Sequence, residues 1–94
     1  MRPVLHGDLT VAARALLAAP AETRRDLVDR IIEDANAAHQ HLFQTGRVHP
    51  VWGTGSLMTS ARRFDLAHEP RLDDPDYASC LITVLQRITA YRAA

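Results

Sequence analysis

Apolar residues recur at helical spacing in four stretches of the chain, separated by Pro, Gly and polar segments. The first stretch follows Asp8, whose carboxylate can accept hydrogen bonds from the free amides of a helix start. Pro20 disfavours further helix. The pattern therefore predicts a first helix over 8–18 with Asp8 as N-cap and with one apolar face made of Leu9, Ala12, Ala13, Leu16 and Leu17.

The second stretch is the longest run without an internal Pro or Gly, and it predicts a helix over 21–45. Pro20 suits the start of this helix, and Gly46 is a natural C-terminal stop. Positions 28, 32, 35, 39 and 42, which are apolar except for His39, follow a 4-3-4-3 spacing that lasts only two heptads. A coiled coil needs three or four heptads, so the spacing indicates at most a homodimer seam. The polar face carries three oppositely charged i,i+4 pairs: Arg25 with Asp29, Asp26 with Arg30, and Arg30 with Asp34.

Two shorter helices are predicted over 55–65 and 75–92, after a Gly-rich bend at 46–55 and a loop at 65–74. Thr54 or Ser56 can cap the third helix, and Asp74-Pro75 is a typical start for the fourth. No segment alternates apolar and polar residues as a strand would. We therefore expect an all-α fold, a compact bundle of about four helices forming a single domain over 1–94.

Charge and cysteine content narrow the class of protein. Eleven basic residues balance eleven acidic ones, and every basic residue is Arg. A net charge of zero gives no general attraction to nucleic acid or to a membrane surface, and it leaves little repulsion between copies. Cys80 is the single cysteine and cannot form an internal disulfide. With no signal peptide or membrane-spanning stretch in the sequence, we expect a cytoplasmic protein with no membrane partner.

The bend HPVWGTGSLM, residues 49–58, holds the one tryptophan and two of the four glycines. Trp and Arg are enriched at binding hot spots, whereas a lone Trp in a small domain often anchors the core. Both interpretations of Trp52 stay open, and the core anchor is the favoured one. The candidate interaction surface consists of Arg47, His49, Trp52, Arg62 and Arg63.

The same bend offers a candidate anion site, because Thr54, Gly55 and Ser56 place amides at a helix start. Capping of the third helix by a hydroxyl explains these residues without any ligand. The segment 47–72 carries four Arg against Asp65 and Glu69, a mildly basic balance. Nucleic acid is therefore a second possible partner, one that we expect to need an oligomer or another protein.

Residue types for catalysis or metal binding occur without a supporting pattern. His39 and His41 point in different directions on one helix and cannot share a metal, whereas His41 and His49 approach only if the chain folds back at Gly46. Ser56, His49 and Asp65 have the residue types of a triad, but the GxSxG motif is absent. We expect no catalytic residue, no metal site, no cofactor and no enzymatic activity.

Three strings together resemble a family of small helical proteins: GDLTVAARALLA, TGRVHPVWGTGSLM and DDPDYASCLITVLQ. The resemblance covers nearly the whole chain and is to a domain of unknown function associated with GC-rich alphaproteobacteria. It implies a bacterial, cytoplasmic, all-helical protein, and it implies no activity, substrate or residue role.

The leading hypothesis is a non-enzymatic adaptor or regulatory module that binds a protein partner or a second copy of itself, with a homodimer plausible. Its motivation is the absence of a catalytic arrangement together with balanced charge and broad apolar helix faces. The alternative is a nucleic-acid-associated accessory protein that contacts phosphates through Arg47, Arg62, Arg63 and the helix start at 53–56.

Overall fold

The computed structural model describes residues 1–93 and contains four α-helices. They are α1 (His6–Ala18), α2 (Arg24–Thr45), α3 (Leu57–Ala61) and α4 (Pro75–Ala93), with a 3-10 turn, Ala21–Thr23, before α2. No strand forms among residues 1–93, where the only β-type pairing is the isolated bridge between His49 and Gly53. The molecule measures 41 × 27 × 23 Å. The prediction of a compact all-α bundle is confirmed.

Helix α1 lies at the centre of the bundle, where it contacts α2, α3 and α4 and packs most extensively against α4. Because three helices surround it, α1 is buried on more than one face. Three of its buried residues are alanines, whose small side chains let the neighbouring helices approach closely. The buried apolar residues of α1 are Val11, Ala12, Ala13, Ala15 and Leu16.

Helix α2 turns its apolar face into the same core. Val28, Ile32 and Ala35 are at most 1% exposed. These are three of the five positions that the 4-3-4-3 spacing assigns to a homodimer seam, and that interpretation is wrong. The spacing reflects packing within one chain, because α1, α3 and α4 already cover this face of α2.

The start of α1 differs from the prediction. The helix begins at His6, and Asp8 occupies its first turn instead of the N-cap. The Asp8 carboxylate accepts a hydrogen bond from the Leu5 amide at 2.9 Å and another from the Met58 amide at 3.0 Å. Asp8 is 6% exposed and joins the start of α1 to the first turn of α3.

Two other helix boundaries also shift. Pro20 precedes the 3-10 turn, so α2 begins at Arg24 instead of directly after the proline. Helix α3 spans five residues where a helix over 55–65 was predicted. The prediction started too early because Gly55 has a φ of +95°, which no right-handed helix contains. Three predicted helix ends are confirmed. Gly46 ends α2 in a left-handed conformation, and the Ser56 side chain caps the start of α3. Asp74 caps the start of α4 by accepting a hydrogen bond from the Tyr77 amide.

More of the ion pairs join different elements of the fold than lie within one helix. Of the three pairs expected within α2, the structure contains the one between Arg30 and Asp34, at 3.8 Å. Several other ion pairs cross between elements: Arg24 with Asp76, Arg63 with Asp34, and Arg87 with Asp29. The loop after α3 is held to α1 by Arg14, whose Nε donates to the Ala67 carbonyl oxygen at 2.8 Å.

Candidate functional site

The chain reverses direction after α2 through a small closed turn at residues 49–53. The His49 amide donates to the Gly53 carbonyl at 3.2 Å, and the Gly53 amide donates back to the His49 carbonyl at 3.1 Å. Inside this turn, Nδ1 of His49 accepts from the amides of Val51 at 3.1 Å and Trp52 at 2.9 Å. An imidazole nitrogen can accept only while it carries no proton, so the turn contains His49 with Nδ1 unprotonated.

Trp52 packs on histidine instead of on the aliphatic core. Its indole lies parallel to the His49 ring, with 4.2 Å between centroids and 7° between planes. The ring of His41, in α2, lies edge-on to the His49 ring, with 5.0 Å between the two centroids. The chain does fold back after Gly46, which is the condition under which His41 and His49 can approach each other.

Trp52 is half-buried and takes no part in the hydrophobic core cluster. The favoured interpretation of Trp52 as a core anchor is wrong. The physical reason is the closed turn, which draws the indole back onto the His49 ring while α1 and the helices around it complete the core with smaller side chains.

Large apolar side chains are exposed in the last turn of α2 and in the bend that follows it. Phe43 in the last turn of α2 is 86% exposed, and Val48 and Val51 in the bend are 53% and 58% exposed. We call Phe43, Val48, Val51 and Trp52, with the exposed Arg47 among them, the tip surface. Sequence reasoning placed Trp52 and Arg47 there and missed the other three. Their signal was available, since Phe43 lies off the apolar face of α2 and both valines follow Gly46 without a helix to bury them.

The segment that holds the tip surface carries charged side chains of one sign. No Asp or Glu occurs from Ala35 through Phe64, a segment that contains Arg47, Arg62 and Arg63. Arg63 is engaged by Asp34 of α2, and its guanidinium lies 4.7 Å from the centre of the Phe64 ring. Arg47 and Arg62 are exposed. Of the predicted interaction residues, the structure brings His49 and Trp52 into contact, places Arg47 in the same bend, and commits Arg63 to an internal ion pair.

The helix start at residues 54–56 directs its hydrogen bonds inward. Ser56 Oγ accepts from the Thr59 amide at 3.2 Å, and the Thr54 amide donates to Thr59 Oγ1 at 3.2 Å. The Met58 amide donates to Asp8, so the protein's own carboxylate stands where an external anion would bind the helix start. Anion binding by Thr54, Gly55 and Ser56 stays a prediction that this geometry does not favour.

Gly55 fixes the bend to the body of the protein. It is buried, and a Cβ on it would lie 2.7 Å from Cα of His39. Its carbonyl also accepts from the Arg2 amide at 3.2 Å. The bend thus rests directly on the α2 backbone, where only glycine fits, and the tip surface is carried by a well-anchored segment.

The residue types of a catalytic triad are used for other purposes. The Ser56 hydroxyl caps α3, and His49 Nδ1 binds two backbone amides. Among residues 1–93, no hydrogen bond joins Ser56, His49 and Asp65. Cys80 is buried in α4, and burial raises the pKa of its thiol, which disfavours the reactive thiolate. The same residues contain no group of three or more His, Cys, Asp or Glu side chains suited to a metal ion.

Comparison with known proteins gives a family and no activity. Nothing in the described part of the chain has the length and apolar character of a bilayer-crossing helix. No curated protein and no solved structure matches the sequence. The sequence does match a domain of unknown function, DUF7742, over residues 2–88, which include all the strings on which the family resemblance rests. The chain therefore belongs to the DUF7742 family.

Proposed function

We propose that this protein is a non-enzymatic interaction module that docks on a protein partner through the tip surface. The observation that carries the proposal is the exposure of Phe43, Val48 and Val51 in the last turn of α2 and in the bend that also holds the half-buried Trp52. These residues lie close together along the chain, and apolar side chains grouped at a surface, unlike scattered ones, are typical of binding sites. Tryptophan is also among the residues that contribute most to interface energies.

The charge of the region defines the partner's chemistry. Arg47 has no carboxylate within its own segment, because Asp and Glu are absent from Ala35 through Phe64. An apolar partner segment flanked by Asp or Glu would cover the apolar side chains and bring opposite charge to Arg47. A second copy docked tip to tip would instead face Arg47 with another Arg47. We therefore propose a heterologous acidic-flanked partner, acting in the cytoplasm, where the free thiol of Cys80 is stable.

The proposal is tested with a photo-crosslinking residue in place of Phe43, and in a second protein in place of Leu72, which is 65% exposed in the loop before α4. Crosslinked products from cell extract are compared by mass. We expect a partner that crosslinks from position 43 and is lost on Val51→Ser or Arg47→Glu, while Leu72→Ser in the position-43 protein leaves it unchanged.

Three outcomes contradict this assignment. Equal crosslinking from positions 43 and 72 means that no particular surface is used. A product that survives both Val51→Ser and Arg47→Glu means that the tip surface does not bind it. A product with twice the mass of this chain means that the occupant is a second copy, which overturns the heterologous partner.

Contact with nucleic acid is the second candidate, and the absence of acidic residues from Ala35 through Phe64 favours it. Arg47 and Arg62 are the exposed cations that it would use. Phosphate contacts give binding that weakens steeply with salt. A salt titration with duplex and single-stranded DNA tests it, with Arg47→Gln/Arg62→Gln as the variant; binding that is absent at low salt excludes this candidate.

A further inference from the structure

The turn that presents Trp52 is closed by a side-chain atom that cannot keep its role after protonation. His49 Nδ1 accepts two amide hydrogen bonds, from Val51 and Trp52. An imidazolium carries protons on both ring nitrogens and accepts at neither. We propose that protonation of His49 opens the turn at residues 49–53 and weakens docking at the tip surface, a regulation that rests on the proposed function.

The groups that face His49 do not supply another acceptor for these amides. From α2, His41 lies edge-on to the ring, and within the turn Trp52 covers its face. Neither histidine makes an ion pair with a carboxylate of residues 1–93, and the one permanent charge in the bend is Arg47. Protonation of both histidines would place two positive rings side by side.

The indole partly offsets the effect of the added proton. A cationic ring is attracted to the face of an indole, so stacking on Trp52 by itself tolerates a protonated His49. The added proton nevertheless points at two N–H groups that no longer have an acceptor. The His49 ring must therefore turn away from the amides, or the segment Val51–Trp52 must move away from the ring. Either change alters the tip surface, because both amides belong to residues that form it.

Histidine is the side chain whose charge ordinarily changes between about pH 5 and about pH 8, so the turn is compared at the two ends of that range. We expect the turn to be closed at about pH 8 and open at about pH 5.

Two substitutions of His49 distinguish its role as a hydrogen-bond acceptor from its role as a ring that stacks on Trp52. In His49→Asn the side-chain oxygen takes the place of Nδ1 as acceptor for the next two amides, as in an Asx-turn, and it does not titrate. In His49→Phe a ring remains to stack on Trp52 but no acceptor exists. His41→Gln removes the neighbouring titratable group and leaves the turn intact.

Amide NMR of the full chain reads the turn directly. Between about pH 8 and about pH 5, we expect the amide protons of Val51 and Trp52 to move upfield together in the wild type and in His41→Gln. They stay at the hydrogen-bonded position throughout in His49→Asn and at the open position throughout in His49→Phe. Wild-type amides that do not move overturn the proposal, as does a titration in His49→Asn that matches the wild type.

A second measurement connects the turn to docking. The affinity of the partner crosslinked from position 43 is expected to fall about tenfold from pH 8 to pH 5 in the wild type, a change of about 1.4 kcal/mol. In His49→Asn it changes by less than about twofold. An equal fall in both proteins overturns the link between His49 and docking. If no partner crosslinks at any pH, the proposed function fails, whereas the amide titration still decides whether His49 opens the turn.

Discussion

The body of the protein, meaning the four packed helices, and the tip surface differ in the size of their side chains. Small side chains fill the body, whereas large ones are exposed at the tip surface. In the body, the surfaces where helices meet are lined with alanine, and one aromatic ring, that of Tyr77, is fully buried. At the tip, Phe43 is exposed and Trp52 is half-buried. Close packing of α1 against three helices leaves little room for large rings, so two of them lie outside the core. The fully buried alanines of the body are Ala12, Ala13, Ala15, Ala35, Ala38 and Ala61.

The largest expected effect contrasts one aromatic ring from each region. Tyr77→Ala removes a ring that is 0% exposed and leaves a cavity among α1 and its neighbours. We expect the free energy of unfolding to fall by about 3–5 kcal/mol. Phe43→Ala should change it by less than about 0.5 kcal/mol, because that ring contributes nothing to the core. Urea denaturation followed by circular dichroism measures both, and similar losses for the two variants would abolish the distinction between body and tip.

The junction between α1 and α3 gives the next effect. Asp8→Ala leaves the amides of Leu5 and Met58 without their acceptor in a nearly closed environment. We expect a loss of about 2–4 kcal/mol in the free energy of unfolding. Asp8→Asn, which keeps one acceptor oxygen, is the matched control and should lose about half as much. Equal stability of Asp8→Ala and wild type would show that water replaces the carboxylate at both amides.

Two glycines separate a packed contact from a purely conformational requirement. Both glycines have a positive φ, +95° at Gly55 and +72° at Gly46. A Cβ added to Gly55 would clash with the His39 backbone, whereas a Cβ added to Gly46 would lie in open space. Gly46→Ala should lower stability by about 1 kcal/mol for the left-handed conformation alone. Gly55→Ala should lose about 2–3 kcal/mol, since the bend must also lift from α2. Equal thermal shifts for the two variants would mean that the bend is not anchored on α2.

The smallest effect concerns an exposed ion pair of the body. Hydrogen bonding to Arg24, at 2.6 Å, holds the pKa of the Asp76 carboxyl below its ordinary value. Its contribution is therefore present above the ordinary carboxyl range, near pH ~4, and is lost as pH falls through the lower folded-state value. Asp76→Asn should lower the melting temperature slightly at pH 7 and leave it unchanged at pH ~2. A deficit of the same size at both pH values would exclude the ion pair as its cause.

Local features of the fold could be predicted from the sequence because their causes are local. Gly46 ends α2, Ser56 caps α3 and Asp74 caps α4 through atoms within four residues of each. The start of α1 was placed wrongly because Asp8 is held by Met58, fifty residues away in the chain. A residue that suits an N-cap also suits the first turn, and Asp8 is held in the first turn by a local bond from Leu5 together with the long-range bond from Met58.

The candidate site shows the same division. The bend, its glycines and the reversal that brings His41 to His49 follow from local sequence. The surface against which Trp52 packs cannot be predicted from local sequence. It depends on whether the aliphatic core has space left after α1, α2 and α4 have packed. The ion pairs of α2 differ from those expected for the same reason. Asp29 was expected to pair with Arg25 one turn away, and it pairs with Arg87 of α4.

The extensive contact between α1 and α4 has a consequence for protein synthesis. Helix α1 leaves the ribosome well before α4, and the side chains that it turns towards α4 stay in water until residues of α4 such as Tyr77 and Val84 arrive. A nascent chain that stops within the loop before α4 has an α1 that is uncovered on this face, and it is a natural substrate for chaperones and proteases. Folding of this bundle thus waits until α4 has been made, however readily its individual helices form.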